Sequence, residues 1–499
     1  MFRFCSGSDC GKCGGAMKQL LLSVLLVLGG VCASPAKANV FFQTNNIVVE
    51  QTTTKTFRLP VEQMRGWTVR GSALVKAENV TAKPNPWNGI KFMLIIETSG
   101  DKSYRQAPLD VGTFDWKRTT FTVRIPTNAT TVTLALGLEK VTGNVWFDAV
   151  KIYAAKPPVT KKPTPVAGPM FTGRTLPRLR GAMIGPHIDE EGLRTFGRDW
   201  NANLIRWQLI RHRRATTDDY DEWLEGELQR LDAGLPLCEK CGLMVAVDLH
   251  SPPGGKATVS GYIGTDDRLF TDRKMQDKFV EVWRRIATRY KNAKAVWGCD
   301  LANEPVEDFV EDGCDDWHAL AERAAKAIRE IDPTRAIICE APPWGSPNSL
   351  AEFTPIAVSN VVYSVHMYVP SEFTHQGVHK RGGEPVNYPG PIKDKMWDKA
   401  ALEKVLQPVV DFQKRYNVHI YIGEFSAIRW APGDSACRYL KDCIEIFESH
   451  GWDWSYHAFR EWDGWSVEHG PDQKDRQPSP TPTEREKLLR SWFARNKKP

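Results

Sequence analysis

Two hydrophobic patterns divide this chain. From residue 39 to about residue 154, short runs rich in Val, Thr, Phe and Ile alternate apolar and polar positions, as in residues 119–125 and 131–136. Turn residues separate these runs about every eight to twelve positions, and no helical periodicity interrupts them. Alternation of this kind in many short segments is typical of two packed antiparallel sheets. The pattern therefore predicts an all-β sandwich over residues 39–154.

After residue 170, apolar runs alternate with amphipathic segments. Residues 275–290, 317–331 and 402–416 repeat apolar side chains at helical spacing. Strand-like runs that are each followed by a crossover predict a (β/α)₈ TIM barrel over residues 170–495. A doubly wound sheet fits less well, because no glycine-rich phosphate loop follows the first run. The eight runs are residues 181–185, 203–209, 243–249, 295–301, 336–340, 361–367, 419–423 and 454–459.

The segments outside these domains differ in composition. Residues 1–38 predict an export signal, because a Lys precedes an apolar stretch too short to span a bilayer and 36–38 fit a small-x-small cleavage site. Met17 is an alternative start. Residues 155–169 are rich in Pro, Thr and Lys and predict a semi-extended linker. We therefore expect a secreted protein, extracellular or periplasmic, with no integral membrane segment in the mature chain.

The amino-acid composition limits the classes of function that this protein can have. The hydrophobic content of 41% and charged content of 25% are ordinary for a globular protein. A net charge of +6 over 499 residues, without a basic stripe, does not favour nucleic-acid binding. The 18 Trp residues indicate either large cores or aromatic platforms for sugar rings. Cys238 and Cys241 have no second Cys pair or zinc-spaced His pair, so we expect ordinary thiols at a helix end, with Cys299 and Cys339 in the core.

Two glutamates carry the clearest chemical signal. Glu304 and Glu424 each follow or close an apolar run, and the C-terminal ends of barrel strands build the active site. Two carboxyl groups facing one cleft can cleave a glycosidic bond, since one protonates the leaving oxygen and the other attacks the anomeric carbon. Glu340 and Glu461 also lie near strand ends and compete for these roles. Further candidates at strand ends are Arg206, His250, Asn303, Trp344, His366 and Tyr368.

Purely structural roles stay open for three of these candidates. Arg206 would fit a structural ion pair, and His250, after Asp248, would fit a hydrogen-bonded core histidine. Trp344 would fit simple packing.

The motif Asn303-Glu304-Pro305, together with Glu424 closing the seventh strand, resembles glycoside hydrolase family 5 and its clan of retaining (β/α)₈ glycosidases. The resemblance covers residues 170–495. It implies double displacement, with Glu304 as general acid/base and Glu424 as nucleophile.

The same resemblance implies roles for the neighbouring side chains. Asn303 would bond the sugar 2-hydroxyl, Arg206 would keep Glu424 ionised, and Tyr368 would orient Glu424. His250 and His366 would line the subsite. The implied partner is a polysaccharide, and no metal or other cofactor is expected.

The eighth strand departs from the family. A Trp platform is usual there, but this chain has His457, so we expect Trp462 or Trp465 to take that role. The favoured activity is that of a cellulase-like endo-β-1,4-glucanase, with β-mannan, xyloglucan and exo-acting specificities left open. The alternatives from other classes are a metal-dependent barrel hydrolase using His187, His250 and His366, and a non-catalytic sugar-binding protein on a degenerate barrel.

Residues 143–152 look like the closing strand of the jelly-roll carbohydrate-binding modules that accompany glycanases. The resemblance implies that the sandwich is a jelly roll that binds sugar, and a purely structural sandwich is the alternative. Candidate platforms are Trp67, Trp87, Tyr104 and Trp116.

Overall fold

A computed structural model describes most of the chain. The predicted export signal and nearly all of the predicted linker lie outside the described residues. Within the described part, no helix is long and apolar enough to cross a membrane. The described residues are 40–98, 102–156, 176–185, 187–211, 219–255, 268–307, 310–311, 313–378 and 384–499.

The described residues between 40 and 156 form two antiparallel sheets, as the alternating pattern predicts. One sheet has the order β1-β9-β4-β7 with β2 also paired to β9, and the other has the order β3-β8-β5-β6. Apolar side chains from both sheets form a single buried cluster. The elements are β1 (Val40–Thr44), β2 (Ile47–Glu50), β3 (Thr54–Arg58), α1 (Val61–Met64), β4 (Thr68–Val80), β5 (Gly89–Glu97), β6 (Lys102–Gln106), β7 (Gly112–Arg124), β8 (Thr131–Glu139) and β9 (Asn144–Lys156).

Eight parallel strands close into a barrel in chain order, which confirms the predicted fold. The barrel strands are β10 (Arg180–Ile184), β11 (Leu204–Gln208), β12 (Met244–Asp248), β13 (Val296–Asp300), β14 (Ala336–Glu340), β15 (Val361–Met367), β18 (His419–Phe425) and β19 (Asp453–Phe459). A small antiparallel hairpin, β16 (Gly390–Ile392) and β17 (Lys395–Trp397), lies between β15 and β18.

The helices follow the amphipathic segments. They are α2 (Glu190–Arg194), α3 (Tyr220–Cys241), α4 (Arg273–Tyr290), α5 (Trp317–Ile331), α6 (Ser371–Thr374), α7 (Lys399–Tyr416), α8 (Ser435–His450) and α9 (Glu484–Phe493), with a π-helical turn at Thr195–Asp199 and a 3₁₀ turn at Pro347–Ala351. Helix α4 buries Phe279, Val282, Trp283 and Ile286 on one side, so helical spacing alone located its inner face.

Residues with a capping role define several helix starts. The side chain of Asp272 accepts a hydrogen bond from the amide of Lys274 at the start of α4. At α9, the hydroxyl of Thr483 accepts from the amide of Glu486, the contact expected of a capping sequence.

The barrel interior has an apolar layer directly below a polar one. Leu204, Ala246, Trp297, Ile338 and Tyr421 belong to one buried apolar cluster. Successive side chains of a strand alternate between its two faces, so residues two apart on β11 share a face. Arg206, two positions after Leu204, is therefore expected to lie one layer above this cluster, where it is fully buried.

Several cysteines lie in the core. Cys238 and Cys241 are buried at the end of α3, and Cys299 and Cys339 are buried in strands. Burial raises the pKa of the Cys238 thiol to about 12. This thiol is therefore a poor nucleophile.

Candidate active site

Three consecutive barrel strands end in an acidic residue. Strand β12 ends at Asp248, β13 at Asp300 and β14 at Glu340, and all three side chains are fully buried. They surround Arg206 of β11. The Arg206 Nε lies 2.8 Å from the Asp300 carboxylate, and its Nη2 lies 3.2 Å from Asp248 and 3.3 Å from Glu340. One guanidinium thus links strands that are far apart in sequence.

Arg206 also contacts Glu424 of β18, with 2.5 Å between Nη1 and Oε1. Burial opposes the charge of Arg206, but the surrounding carboxylates outweigh it and raise the pKa of the guanidinium well above its usual range. For Asp300 burial dominates, and together with Asp248 and Glu340 it raises the pKa of the carboxyl despite Arg206. Arg206 is therefore a permanent buried cation that faces Glu424.

Glu424 has several cationic neighbours. Its Oε2 accepts a hydrogen bond of 2.9 Å from the Tyr368 hydroxyl and lies 3.7 Å from Nδ1 of His366 and 3.4 Å from Nδ1 of His457. Burial opposes ionisation, but His366, His457 and Arg206 outweigh it and hold the pKa of Glu424 well below its usual range. Glu424 is an ionised, buried and oriented carboxylate.

Glu304 is more exposed and lies in the loop that follows β13. Its Oε1 lies 3.0 Å from Nδ1 of His366, and its side chain is 19% exposed against 5% for Glu424. The Glu304 backbone adopts a left-handed conformation with φ of 47°. Its amide donates to Oε2 of Glu340 at 2.9 Å, so Glu340 fixes the turn that presents Glu304.

Glu340 leaves no room for a side chain at the adjacent Gly345. A Cβ built on Gly345 would lie 2.3 Å from Oε2 of Glu340, and Gly345 also has a positive φ of 58°.

The other Glu340 oxygen lies 3.1 Å from Nε2 of His366. Burial lowers the proton affinity of His366, but Glu340, Glu424 and Glu304 outweigh it and raise the pKa of the imidazole well above its usual range.

Asn303 is held by a chain of hydrogen bonds. The His250 Nδ1 lies 2.8 Å from Asp248, and its Nε2 lies 3.1 Å from the amide nitrogen of Asn303. These contacts fit a neutral His250 that donates to Asp248 and accepts from Asn303. The Asn303 carbonyl accepts from Arg206 at 3.1 Å, which fixes the orientation of the amide.

The decisive distance is between the two glutamates. One carboxylate oxygen of Glu304, one of Glu424 and a ring nitrogen of His366 all lie within 4.8 Å of one another. Retaining glycosidases have carboxyl groups about 5–5.5 Å apart, whereas inverting ones leave room for a water between carboxyl and sugar. The short separation therefore fits attack by a carboxylate rather than by a water.

In the described residues, Glu304, His366 and Glu424 are the one set close enough to hold a metal. They fit a metal poorly, because Arg206 already pairs with Glu424 and the surrounding carboxylates raise the pKa of His366 well above its usual range despite burial. His187, the third ligand in the metal-hydrolase alternative, is exposed and does not belong to this set.

The aromatic residues predicted to stack on the sugar differ in their exposure to solvent. Trp465 is only 8% exposed and packs near Tyr368 and His457, with ring centroids 6.0 and 5.7 Å away. Trp462 is 39% exposed and meets Trp465 edge-on at 5.5 Å. Trp462 is therefore the ring of this pair available for stacking on a sugar. Trp344 is half-buried, and its amide donates to the carbonyl of Pro305 next to Glu304.

Part of this site was not predicted from the sequence. Asp248 and Asp300 had no predicted role, and Glu340 was predicted only as a competitor of Glu304 and Glu424. The signal was present, because three successive apolar runs each end in Asp or Glu. Acids at the ends of adjacent parallel strands must lie side by side and require a cation between them.

Comparison with known proteins agrees with this geometry. A family profile described as Cellulase (glycosyl hydrolase family 5) matches residues 165–461. Endoglucanase C of Acetivibrio thermocellus is 30% identical over 269 residues, which cover 48% of this chain and 75% of that protein. Cellodextrinase A of Ruminococcus flavefaciens is 26% identical over 233 residues, covering 46% of this chain and 66% of that one.

A solved structure described as a glycoside hydrolase superposes with a TM-score of 0.52 at 24% identity, covering 63% of this chain and 99% of that one. At this identity the likeness concerns the fold, and it agrees with the closed barrel described above.

Glu340→Gln should destabilise the barrel by about 1–3 kcal/mol, because it removes a buried charge between Arg206 and His366 and turns an amide N–H towards one of them. Thermal and denaturant unfolding of the full chain measure this. The control is Glu330→Gln, which removes an exposed partner of Arg284 and should change stability by less than about 0.5 kcal/mol. Equal stability of the two variants would show that Glu340 does not hold the site together.

Proposed function

Because the chain belongs to glycosyl hydrolase family 5, we propose that it is an endo-acting β-1,4-glucanase that cleaves by double displacement, with Glu424 as nucleophile and Glu304 as general acid/base. The observation that carries this proposal is the pair of carboxyl groups with oxygens within 4.8 Å, of which Glu424 is bonded to Arg206. Two carboxyl groups this close do not readily ionise together, so one holds a proton. Arg206 and His457 lie beside Glu424 and hold its pKa low, which leaves Glu304 to supply the proton as general acid.

In the first step, Glu424 attacks the anomeric carbon while Glu304 gives its proton to the leaving oxygen. Tyr368 and Arg206 each bond one oxygen of Glu424, which aims the carboxylate and restricts its rotation. The bond between C1 and the leaving oxygen breaks, and its electron pair leaves with that oxygen. An ester of Glu424 with the sugar results.

In the second step, Glu304 takes a proton from water, and the water oxygen attacks C1 from the face the leaving group vacated. Esterification has removed the negative charge of Glu424, so the proton on Glu304 is no longer favoured and Glu304 acts as base. The Glu424 carboxylate departs towards Arg206 and Tyr368. Asn303, locked between Arg206 and His250, is placed to bond the sugar 2-hydroxyl.

The β-1,4-glucan assignment is supported by the relatives named endoglucanase, including Endoglucanase C. β-Mannan, xyloglucan and exo action are the competing outcomes of the assay below. We also propose secretion, on the basis of the export signal predicted in residues 1–38. A secreted enzyme would meet polysaccharide outside the cell.

We further propose that the sandwich binds polysaccharide. Trp87, Tyr104 and Trp116 are exposed by 58%, 58% and 46%, whereas Trp67 packs against the sandwich core. Large exposed rings are costly on a purely structural domain and suit stacking on sugar. Trp67 is therefore better explained as packing than as a platform.

The substrate assignment is tested by incubating the enzyme with soluble β-glucan, β-mannan and xyloglucan and sizing the products over time. We expect fastest cleavage of β-1,4-glucan, with a rapid fall in chain length before short oligosaccharides accumulate, because an endo enzyme cuts internal bonds. Release of a single small product from the start would contradict endo action. A preference for mannan would contradict the substrate.

Azide should distinguish the roles of the two glutamates. Glu424→Ala should abolish turnover, and azide in the vacated space should yield an α-glycosyl azide from a β-glycoside, detected by NMR. Glu304→Ala should reduce turnover by about 10²–10⁴-fold on substrates with poor leaving groups but only a little on dinitrophenyl glycosides. With a dinitrophenyl glycoside, azide should give the β-glycosyl azide. If Glu424→Ala gave the β-azide and Glu304→Ala the α-azide, the roles of the two glutamates would be reversed.

Deletion of residues 39–165 should leave turnover of soluble glucan nearly unchanged and weaken activity on insoluble polysaccharide, because a binding domain raises residence at a surface. Sandwich and barrel have separate apolar clusters, and contacts between them include exposed ion pairs such as Arg124–Glu352 at 2.6 Å. A matched variant, Trp87→Ala with Trp116→Ala in the full chain, should reproduce the loss on insoluble substrate. Unaltered activity on insoluble substrate in both would contradict the binding role.

A further inference from the structure

A histidine and a third glutamate lie behind the nucleophile. His457 of β19 bonds the Tyr368 hydroxyl through Nδ1 and lies 3.4 Å from Oε2 of Glu424. Its Nε2 lies 2.8 Å from Oε2 of Glu461, four residues later. The His457 and Glu461 side chains are 15% and 16% exposed. His457 is one of the cations that hold the pKa of Glu424 low, but Glu461 and the bond from His457 to Tyr368 have no role so far.

The hydrogen-bond directions define the charge of His457. The Tyr368 hydroxyl has one proton, and Glu424, an ionised acceptor, requires it. The bond between Tyr368 and Nδ1 must then be donated by His457, and Glu461 can only accept from Nε2. Both ring nitrogens therefore carry protons, and the chain runs from Glu461 through an imidazolium and Tyr368 to Glu424.

We propose that Glu461 and His457 form a positioning pair that directs the Tyr368 proton to the nucleophile and keeps a positive charge beside it. The inference rests on the proposed nucleophile role of Glu424. Burial opposes the charge of His457, but Glu461 and Glu424 outweigh it and raise the pKa of the imidazole. The same contact lowers the pKa of Glu461 against the effect of burial.

The pair has a defined electrostatic effect. A cation near a carboxylate favours its ionised form, and His457 is among the groups that hold the pKa of Glu424 low. Loss of this cation should raise the pKa of Glu424, so the fraction of ionised nucleophile falls first at acidic pH. The other titratable or charged groups that face Glu424, Tyr368 and His457 are Arg206, His250, Glu304, His366, His375 and Glu461.

The test is the rate at which 2,4-dinitrophenyl 2-deoxy-2-fluoro-β-cellobioside labels the enzyme, followed by intact mass from pH 4 to 8. Labelling joins an oxygen of Glu424 to C1 and releases dinitrophenolate with the electron pair of the broken bond, so it needs no general acid. Its acidic limb reports ionisation of the nucleophile. The variants are His457→Asn and Glu461→Gln, with the double variant.

We expect the acidic limb of the profile of labelling rate against pH to move to higher pH in both single variants. Labelling should be about tenfold slower than in the parent at pH 5, and the difference from the parent should be smaller at pH 7.5. The double variant should be no worse than His457→Asn alone, because the two residues act as one unit. The matched control is Glu468→Gln on the same segment, where the carboxylate pairs with Arg460 at 3.1 Å. Its pH profile should coincide with that of the parent.

An equal fall in labelling rate at every pH, with the acidic limb unmoved, would mean that the pair only contributes to packing and would overturn the proposal. An unchanged profile in Glu461→Gln would do the same. Labelling of the parent enzyme at a residue other than Glu424, located by peptide mapping, would instead contradict the nucleophile role of Glu424, so the two failures are distinguishable.

Discussion

The buried guanidinium of Arg206 is the interaction on which the site depends. Burying an isolated cation costs several kcal/mol, and burying several carboxylates without a cation costs more. Here Asp248, Asp300, Glu340 and Glu424 share one guanidinium with no exposed surface. Each of the ionised groups in this set would be strongly destabilising alone, so the barrel forms its polar layer only when the strands that carry them are in register.

This charge arrangement also produces the chemistry. In the proposed mechanism, an ionised nucleophile and a protonated acid must have different environments, although both are glutamates at the same end of one barrel. Arg206 and His457 lie beside Glu424, whereas Glu304 is more exposed, sits on a left-handed turn and shares His366 with Glu424. The Glu340 carboxylate joins the two environments, since it accepts from the Glu304 amide and lies against Arg206 and His366.

The sequence predicted what depends on local pattern and motif. Helical spacing located the buried face of α4, and the position of Glu304 and Glu424 after apolar runs predicted that they meet. Contacts across the barrel could not be predicted in this way. Arg206 and Glu424 are 218 positions apart, and nothing local to Arg206 indicates four carboxylates around it. The bond from Glu461 to His457 likewise depends on the path of the chain after β19, which no periodicity specifies.

In the proposed mechanism, Glu424 attacks the sugar directly. Proton NMR of the first product formed from a β-linked cello-oligosaccharide, recorded before mutarotation, tests this step. Carboxyl oxygens within 4.8 Å of each other fit the short spacing of retaining enzymes, so two inversions should give the β-anomer. An initial α-anomer would mean a single displacement by water and would contradict direct attack by Glu424.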